Sequence, residues 1–352
     1  MCIVGSVIGG KSRVFFHKLI YIQIIFQKII KGKRKKIMGS KITIIGAGSV
    51  GSTIAYTLSA ESIASEIVLI DINKTKVEGE VMDIIQGTCF RDPISVIAGA
   101  YEDAKDSDIV IITSGIARKP GQTRIELAQT NVDILKSITP QIVAAAPNAL
   151  YIMVSNPVDI MTYVFTKISG LPERQIVGSG TILDSARLRY ALSAHYGVAQ
   201  QNIHSYVFGE HGDSSFIPWS GTFVSGVHVD DYQELMNSRN MNIPPLDKDA
   251  MLEYVQKSGG TIIKYKGATF YAVSASVVKL CTILSASSDS ISTVSSMMHG
   301  EYGIEDVCLS TLTLVGPRGI HGKIPMNLTD EEVAKLRKSA DALKTVINSI
   351  KI

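Results

Sequence analysis

Cysteine is scarce in this sequence: there are four in 352 residues, far apart at Cys2, Cys89, Cys281 and Cys308. None of them forms a CxxC pair or a cluster with histidine. This spacing argues against a disulfide framework and a structural zinc site, and it predicts that no metal is bound. Such a chain suits a reducing compartment, and we predict a cytoplasmic location.

Long uninterrupted apolar runs are also missing. The segment Val14–Ile30 has 12 apolar residues in 17 but is interrupted by charged residues, whereas a membrane-spanning helix needs about 20 predominantly apolar residues. Residues 1–38 hold nine Lys/Arg and no Asp/Glu, and we interpret them as a basic extension outside the fold. Three interpretations of the extension stay open: a targeting or membrane-surface segment, a disordered tail, or an untranslated stretch upstream of Met38.

Without that extension, acidic residues outnumber basic ones. The whole chain has 35 Lys/Arg and 32 Asp/Glu, so residues 39–352 keep 26 basic residues and a net charge of −6. A mildly acidic body does not indicate the basic surface that is typical of nucleic-acid-binding proteins. The composition is 45% hydrophobic and 19% charged, which excludes a disordered or fibrous protein.

From Lys41 onward, short apolar runs alternate with helical segments. Strands that are apolar throughout are typical of a parallel sheet buried on both faces, and their alternation with helices predicts a doubly wound α/β fold of the Rossmann type. The predicted strands are Ile42–Ile45, Ile67–Ile70, Ile94–Ala98, Ile109–Thr113 and Tyr151–Ser155, and the predicted helices are Val50–Ala60, Lys74–Gln86 and Ile125–Val143.

After about Gly178 the pattern changes, which predicts a dinucleotide-binding domain at 39–180 and an α+β substrate domain at 181–352. The last helix begins at a capping box formed by Thr329 and Glu332. The other predicted elements of this half are a helix at Leu183–His195, strands at Ile203–Phe208, Phe216–Gly226 and Val307–Val315, and helical structure over Lys248–Leu284 with breaks at Gly259-Gly260 and Gly267.

A GxGxxG turn follows the first predicted strand and opens a helix. Its three glycines, Gly46, Gly48 and Gly51, suit a tight turn, close approach of a pyrophosphate and close packing of helix on strand. Asp71 ends the second strand, where a carboxylate can accept hydrogen bonds from ribose hydroxyls and repel a 2′-phosphate. The pattern predicts a dinucleotide cofactor and favours NAD over NADP, although Asp71 alone could simply cap the next turn.

Four further motifs carry candidate chemistry, and each also has an ordinary interpretation. A Gly/Pro-rich loop at 114–124 ends at Arg124 and could be a solvated basic loop. Asn156 lies in an Asn-Pro turn, and Asp184 with Arg187 could be a surface ion pair. His211 lies between glycines in the motif GEHGDS; a lone histidine is more often structural.

Together these motifs resemble the L-lactate/malate dehydrogenase family over nearly all of residues 39–352, and bacterial L-lactate dehydrogenases in particular. The resemblance implies that His211 exchanges the proton of the substrate's C2 oxygen and that Asp184 orients and charge-stabilises its imidazole. Arg187 would bind the substrate carboxylate as a two-pronged fork. Arg124 would polarise the ketone, and Asn156 would help to hold its oxygen.

The resemblance implies further sites as well. It implies a homotetramer that acts on a small 2-oxo or 2-hydroxy acid. Arg189 and His204 match a pair that binds fructose 1,6-bisphosphate across a subunit interface, and an ordinary exposed arginine and histidine remain the alternative. The residues expected to contact NAD are Gly46, Gly48, Val50, Gly51, Asp71, Lys76, Tyr101, Gly115 and Asn156.

The choice between lactate and malate depends on Arg118. Malate dehydrogenases have arginine at this loop position, where it pairs with a second substrate carboxylate, whereas many lactate dehydrogenases have glutamine. Thr269 and the surrounding motifs look lactate-like, so lactate is favoured and malate stays open. There are two rival classes. A metal-dependent enzyme on the same NAD fold would need a Cys/His ligand set, which this sequence lacks. A non-catalytic dehydrogenase scaffold is disfavoured because the catalytic set is intact.

Overall fold

The computed structural model describes residues 40–117 and 123–352. The predicted basic extension and Arg118 lie outside the described residues. The strands are β1 (Lys41–Ile45), β2 (Glu66–Ile70), β3 (Ser95–Ala98), β4 (Ile109–Ile112), β5 (Leu150–Met153), β6 (Ile176–Gly178), β7 (Ile203–His204), β8 (Phe223–Val224), β9 (Val227–His228), β10 (Ser290–His299), β11 (Glu305–Gly316) and β12 (Gly319–Lys323).

The described residues form nine α-helices. They are α1 (Ser49–Ala60), α2 (Lys74–Gln86), α3 (Arg124–Ala145), α4 (Val158–Ile168), α5 (Ile182–Tyr196), α6 (Val229–Asn237), α7 (Lys248–Lys266), α8 (Tyr271–Leu284) and α9 (Asp330–Ile347). Across 40–117 and 123–352, no helix is both long enough and apolar enough to span a membrane.

One mixed sheet carries most of the fold. Its strand order is β12-β11-β10-β6-β5-β4-β1-β2-β3. The segment from β3 to β6 is parallel throughout, with the 3-2-1-4-5-6 order of a doubly wound dinucleotide-binding fold. The predicted α/β class is therefore confirmed.

The parallel strands are buried on both faces because side chains alternate between the faces of a strand. In β4, Ile109 and Ile111 pack with the cluster that includes Leu58 of α1, whereas Val110 and Ile112 pack with the cluster that includes Leu135 of α3. Four of the predicted apolar runs thus correspond to central strands, whereas Ile94–Ala98 forms the edge strand β3, in which Ser95 and Ala98 are exposed. The carboxyl ends of all five reach the same edge of the sheet.

The C-terminal half extends this sheet and also forms a small antiparallel sheet of its own, β7-β8-β9. Strands β10, β11 and β12 are antiparallel, and β10 pairs with β6 through Ser295 and Gly178. The serine-rich stretch at 285–296 was not predicted as a strand. Its residues are mostly small and polar but several are nonetheless buried, so no alternation of apolar and polar side chains is visible in the sequence. Strand β6 and helix α4 were also missed.

Three predicted elements need correction. The strands predicted at Ile203–Phe208 and Phe216–Gly226 shrink to β7 and β8, because this region turns too often to hold a longer ladder. Helix α7 runs through Gly259 and Gly260 without a break. The predicted break at Gly267 is confirmed: α7 ends there, and Gly267 has a left-handed φ of +86°.

Candidate active site

The glycine turn after β1 has the shape that the sequence predicts. Gly46 has a φ of +109°, and a Cβ there would lie 2.7 Å from Thr113 Oγ1. A Cβ on Gly51 would collide with the Gly46 carbonyl, so only glycine fits at both positions. Gly48 is exposed, has open space around its Cα, and provides no side-chain cap for α1. The N–H groups at the start of α1 are therefore open to an anion such as a pyrophosphate.

Asp71 lies beside this turn and is already hydrogen-bonded. Its carboxylate accepts the backbone N–H of Ala47 at 2.6 Å and that of Asn73 at 2.9 Å. The turn-capping interpretation is thus correct as far as it goes, yet each oxygen keeps a further lone pair for a ribose hydroxyl. The Tyr101 phenol lies nearby: burial, and then the Asp71 charge, raise the pKa of Tyr101.

Two other predicted cofactor contacts differ in how the fold places them. Val50 is half-buried in the first turn of α1, where its carbonyl accepts a hydrogen bond from Ser274 Oγ of α8 at 3.4 Å. Lys76 is exposed in the first turn of α2, and its backbone N–H donates to the side chain of Asn73. Val50 therefore lies at the glycine turn, whereas no contact ties the Lys76 side chain to it within the described ranges.

Asn131 joins the loops that follow β4 and β5, and sequence reasoning missed it. Its Oδ1 accepts the N–H of Ile116 at 2.8 Å, and its Nδ2 donates to the carbonyl of Asn156 at 2.7 Å. A Cβ on Gly115 would lie 3.2 Å from the same amide oxygen. Asn131 is 1% exposed, so this buried amide fixes Gly115 and Asn156 at the carboxyl ends of the strands.

The second part of the site is a hydrogen-bonded row of three side chains. Asp184 and Arg187 share one face of α5, and His211 comes from the histidine loop (Gly209–Ser214). Asp184 Oδ2 lies 2.5 Å from His211 Nδ1, and Asp184 Oδ1 accepts from Arg187 Nη1 at 2.7 Å. The His211 side chain is 29% exposed and its Nε2 has no protein partner among the described residues, so that nitrogen is free to face a ligand.

The electrostatics of this row keep the imidazole charged. The negative charge of Asp184 raises the pKa of His211 to about 9, against the opposing effect of burial. Burial alone would raise the pKa of Asp184, but the charges of His211 and Arg187 outweigh it and leave that pKa lowered. The protonated imidazole and the carboxylate are therefore the stable pair at neutral pH.

Arg124 approaches the histidine loop from the opposite side. It is the first residue of α3, whose start is set by a capping box between Thr123 and Glu126. Its guanidinium bonds Glu210 Oε2 at 3.1 Å and lies 3.8 Å from an Asp213 oxygen. Because its side chain is 45% exposed, it has donors left for a ligand. Glu210, which is 2% exposed, carried no sequence signal as a partner of Arg124.

A second carboxylate, Asp159, lies behind the histidine. It accepts the backbone N–H of His211 at 2.7 Å and the Ser295 hydroxyl at 2.6 Å. Asp159 follows Asn156 in the Asn-Pro motif, but its partners are 52 and 136 residues away. Sequence reasoning therefore had no means of pairing them.

Thr269 lies half-buried in the turn between α7 and α8. Helix α7 reaches the site, since Gln256 Nε2 donates to the carbonyls of Asp213 and Ser215 at 3.0 Å. In the described chain, Thr269 has no hydrogen bond to His211. The structure therefore links the middle of α7 to the histidine loop and shows no direct link from Thr269.

Arg189 and His204 lie on neighbouring elements of the C-terminal half. The Arg189 guanidinium is 6.0 Å from the ring centre of Tyr206, two residues along from His204. Its Nε is buried without a partner among the described residues, and burial lowers the pKa of Arg189. His204 is exposed on β7.

No metal-binding cluster of His, Cys, Asp and Glu occurs within 40–117 and 123–352. In the same ranges, Cys89, Cys281 and Cys308 are free thiols. The donors at the site are arginine guanidinium groups and an imidazole already bonded to a carboxylate, which suit an organic anion.

Comparison with known proteins shows the family to which this chain belongs. Residues 40–178 match the lactate/malate dehydrogenase NAD-binding domain, and residues 181–351 match the lactate/malate dehydrogenase α/β C-terminal domain. The chain is therefore an NAD-dependent 2-hydroxy acid oxidoreductase. Within that class, it belongs to the lactate/malate dehydrogenase family.

The chain aligns with individual relatives over almost their whole length. The chain is 45% identical over 316 residues to the L-lactate dehydrogenase of Thermoanaerobacter pseudethanolicus, which covers 89% of this chain and 100% of that protein. It is 44% identical to L-lactate dehydrogenase 1 of Clostridium acetobutylicum, over 88% and 98% of the two chains. The crystal structure of minor L-lactate dehydrogenase from Enterococcus mundtii in its ligand-bound form superposes with a TM-score of 0.84 at 34% identity, over 90% and 99%.

Proposed function

We propose that this enzyme interconverts pyruvate and L-lactate, with His211 as the group that gives and takes the proton. The observation that carries the proposal is the row His211–Asp184–Arg187, with the Arg124 guanidinium on the other side of the histidine loop. Relatives 40–45% identical to the chain that are named L-lactate dehydrogenase support the choice of substrate.

The glycine turn fits the pyrophosphate of NAD, and Asp71 fits the hydroxyls of the adenine ribose. When bound, NAD supplies or accepts the hydride at C2 of the substrate. Gly115 and Asn156, held together by Asn131, lie at the carboxyl ends of β4 and β5, where doubly wound sheets bind their ligands.

The proton comes from His211. Its Nδ1 is bonded to Asp184, so the proton for the C2 oxygen of pyruvate is the one on Nε2. In the reverse direction the same Nε2, deprotonated, takes the hydroxyl proton of lactate. Asp184 keeps the ring oriented and stabilises its positive charge, which a general acid at neutral pH needs.

Two arginines hold the substrate. Arg187 uses one nitrogen on Asp184 and keeps its other donors for the substrate carboxylate. Arg124 places positive charge near the ketone oxygen, where negative charge develops, and Asn156 adds a neutral hydrogen bond.

The direct test is an NADH-oxidation assay with pyruvate and oxaloacetate in parallel. We expect a higher kcat/KM for pyruvate, because the relatives 40–45% identical to the chain are named L-lactate dehydrogenase. A higher kcat/KM for oxaloacetate would instead support the malate interpretation through Arg118. Activity with neither acid, together with intact NADH binding, would favour a non-catalytic scaffold.

The raised pKa of His211 predicts opposite pH dependences for the two directions. Reduction needs the protonated imidazole, so kcat/KM for pyruvate should fall as pH rises through about 9. Oxidation needs the neutral imidazole, so kcat/KM for lactate should rise over the same interval. The profiles are measured from about pH 7 to about pH 10, with the kcat/KM of each substrate reporting the free enzyme.

The variant Asp184→Asn should move both midpoints to lower pH, because the Asp184 charge is the largest cause of the raised pKa. The amide keeps the size of the side chain, so folding can be checked by thermal unfolding. Midpoints that stay at the wild-type value would remove Asp184 from this role.

We also propose that Arg189 and His204 bind fructose 1,6-bisphosphate between subunits of a cytoplasmic homotetramer. The buried, unpartnered Arg189 Nε in the described structure and the exposed His204 support an anion site open to a neighbouring subunit. The effector should lower KM for pyruvate, and Arg189→Gln should abolish that response. Saturating effector with no change in KM or assembly state would contradict it.

A further inference from the structure

The histidine loop is tied to the rest of the protein by Asp159. This side chain is 3% exposed and belongs to the first turn of α4. Its two oxygens accept one hydrogen bond each, from the backbone of His211 at 2.7 Å and from Ser295 of β10 at 2.6 Å. One carboxylate therefore connects a helix, a central strand and the loop that carries the proposed proton donor.

The strand and helix beside the Asp159–Ser295 contact are closely packed. A Cβ on Gly178 would lie 2.8 Å from the Ser295 Cβ, so strand β6 packs directly against the serine. Thr162, one turn further along α4, is fully buried and contacts the same glycine. The serine end of the Asp159–Ser295 contact is therefore held by close packing of β6 and α4.

The charge of Asp159 also acts on the imidazole. It adds to the effect of Asp184 in raising the pKa of His211. Burial raises the pKa of Asp159 itself to about 6, so it is ionised in neutral and alkaline solution. The other ionisable groups that face it are Glu210 in the loop, Cys308 of β11 and Lys323 of β12, whose ammonium donates to the Leu309 carbonyl.

We propose that Asp159 is a positioning residue for the proton transfer: its buried carboxylate holds the backbone of His211 while its charge stabilises the imidazolium from behind. Asp184 orients the ring through Nδ1, and Asp159 fixes the main chain that carries the ring. This proposal rests on the proposed role of His211.

Two variants separate the charge from the anchor. In Asp159→Asn the amide oxygen can accept from His211 while its NH₂ donates to the Ser295 hydroxyl, so both contacts persist and only the charge is lost. Asp159→Ala removes both contacts. Asp306→Asn is the matched control, because Asp306 is another carboxylate bonded to α4, through Lys167 and Tyr163, on a different strand end.

We expect Asp159→Asn to move the pH midpoint of kcat/KM for pyruvate down by at least about half a pH unit. Asp159→Ala should lower kcat/KM by about tenfold or more at neutral pH, because small displacements of a catalytic group are costly. NADH affinity should not change in either variant, and Asp306→Asn should match the wild type. Ser295→Ala, which removes one donor, should shift the midpoint in the same direction but less.

Equal midpoints for the wild type and Asp159→Asn would overturn the proposal, and so would an equal shift in Asp306→Asn. A lower kcat/KM with an unchanged midpoint would show a merely structural role. If Asp159→Ala does not fold, the Asp159→Asn and Ser295→Ala midpoints still decide. If His211→Ala itself keeps full activity, the proposed function has failed, and that result is distinct from any outcome at Asp159.

Discussion

Replacing His211 with alanine is expected to lower kcat for pyruvate reduction by about 10²–10⁴-fold, the usual contribution of general acid–base catalysis. The reason is local: the variant removes Nε2, the ring nitrogen left free for a ligand, while Asp184 and Arg187 keep their ion pair. NADH affinity should stay at the wild-type value, since the glycine turn and Asp71 are on the other half of the sheet's edge. Stopped-flow reduction and NADH fluorescence titration measure the two quantities.

His299→Ala is the matched control. His299 is also a histidine paired with a carboxylate, with its Nε2 2.7 Å from Glu173, but its side chain is 62% exposed at the end of β10. Its loss should leave kcat unchanged. If His211→Ala retains kcat within about threefold of the wild type, another group transfers the proton and the assignment is wrong.

The sequence contained enough information to predict most of the dinucleotide-binding domain. Strand β4 is a continuous apolar run and β2 is one from Ile67 onward, and glycine at 51 is required by the Gly46 carbonyl within one strand-turn-helix unit. Such local requirements leave a visible pattern. The capping box at Thr329 was predictable for the same reason, since its two partners are three residues apart.

The partners of the active-site residues were not predictable. Glu210 meets Arg124 across 86 residues of chain, and Asp159 meets Ser295 across 136. The Asp159–Ser295 contact depends on how β10 adds to the edge of the parallel sheet beside β6, and no spacing rule encodes that pairing. His211 and Asp184 were assigned through the family resemblance, and the structure shows them in contact.

Strand β10 was hidden for a related reason. Seven of its ten residues are buried, but four of its positions are serine and one is threonine, which usually indicate loops. Two of their hydroxyls find partners inside the protein, Ser295 with Asp159 and Thr293 with Ser185. A buried polar strand of this kind is recognised only when those partners are known.

Arg187→Lys should lower kcat/KM for pyruvate by about 10²-fold or more, since truncating one partner of a buried charge pair commonly costs 2–5 kcal/mol, here taken as about 3 kcal/mol. The Arg187 side chain is only 12% exposed and uses one nitrogen on Asp184. Lysine has a single ammonium, which cannot bond Asp184 and also grip both oxygens of a carboxylate. The loss should appear mainly in KM.

The charge is conserved in this variant, so the pH midpoint set by His211 should move little, which distinguishes lost carboxylate binding from a disturbed proton donor. Arg91→Lys is the matched control, because Arg91 bonds the Tyr56 hydroxyl at 2.7 Å on the outside of α1. It should keep the wild-type KM for pyruvate. If Arg187→Lys binds pyruvate as tightly as the wild type, the carboxylate is held elsewhere, and Arg124 would then be the group to test.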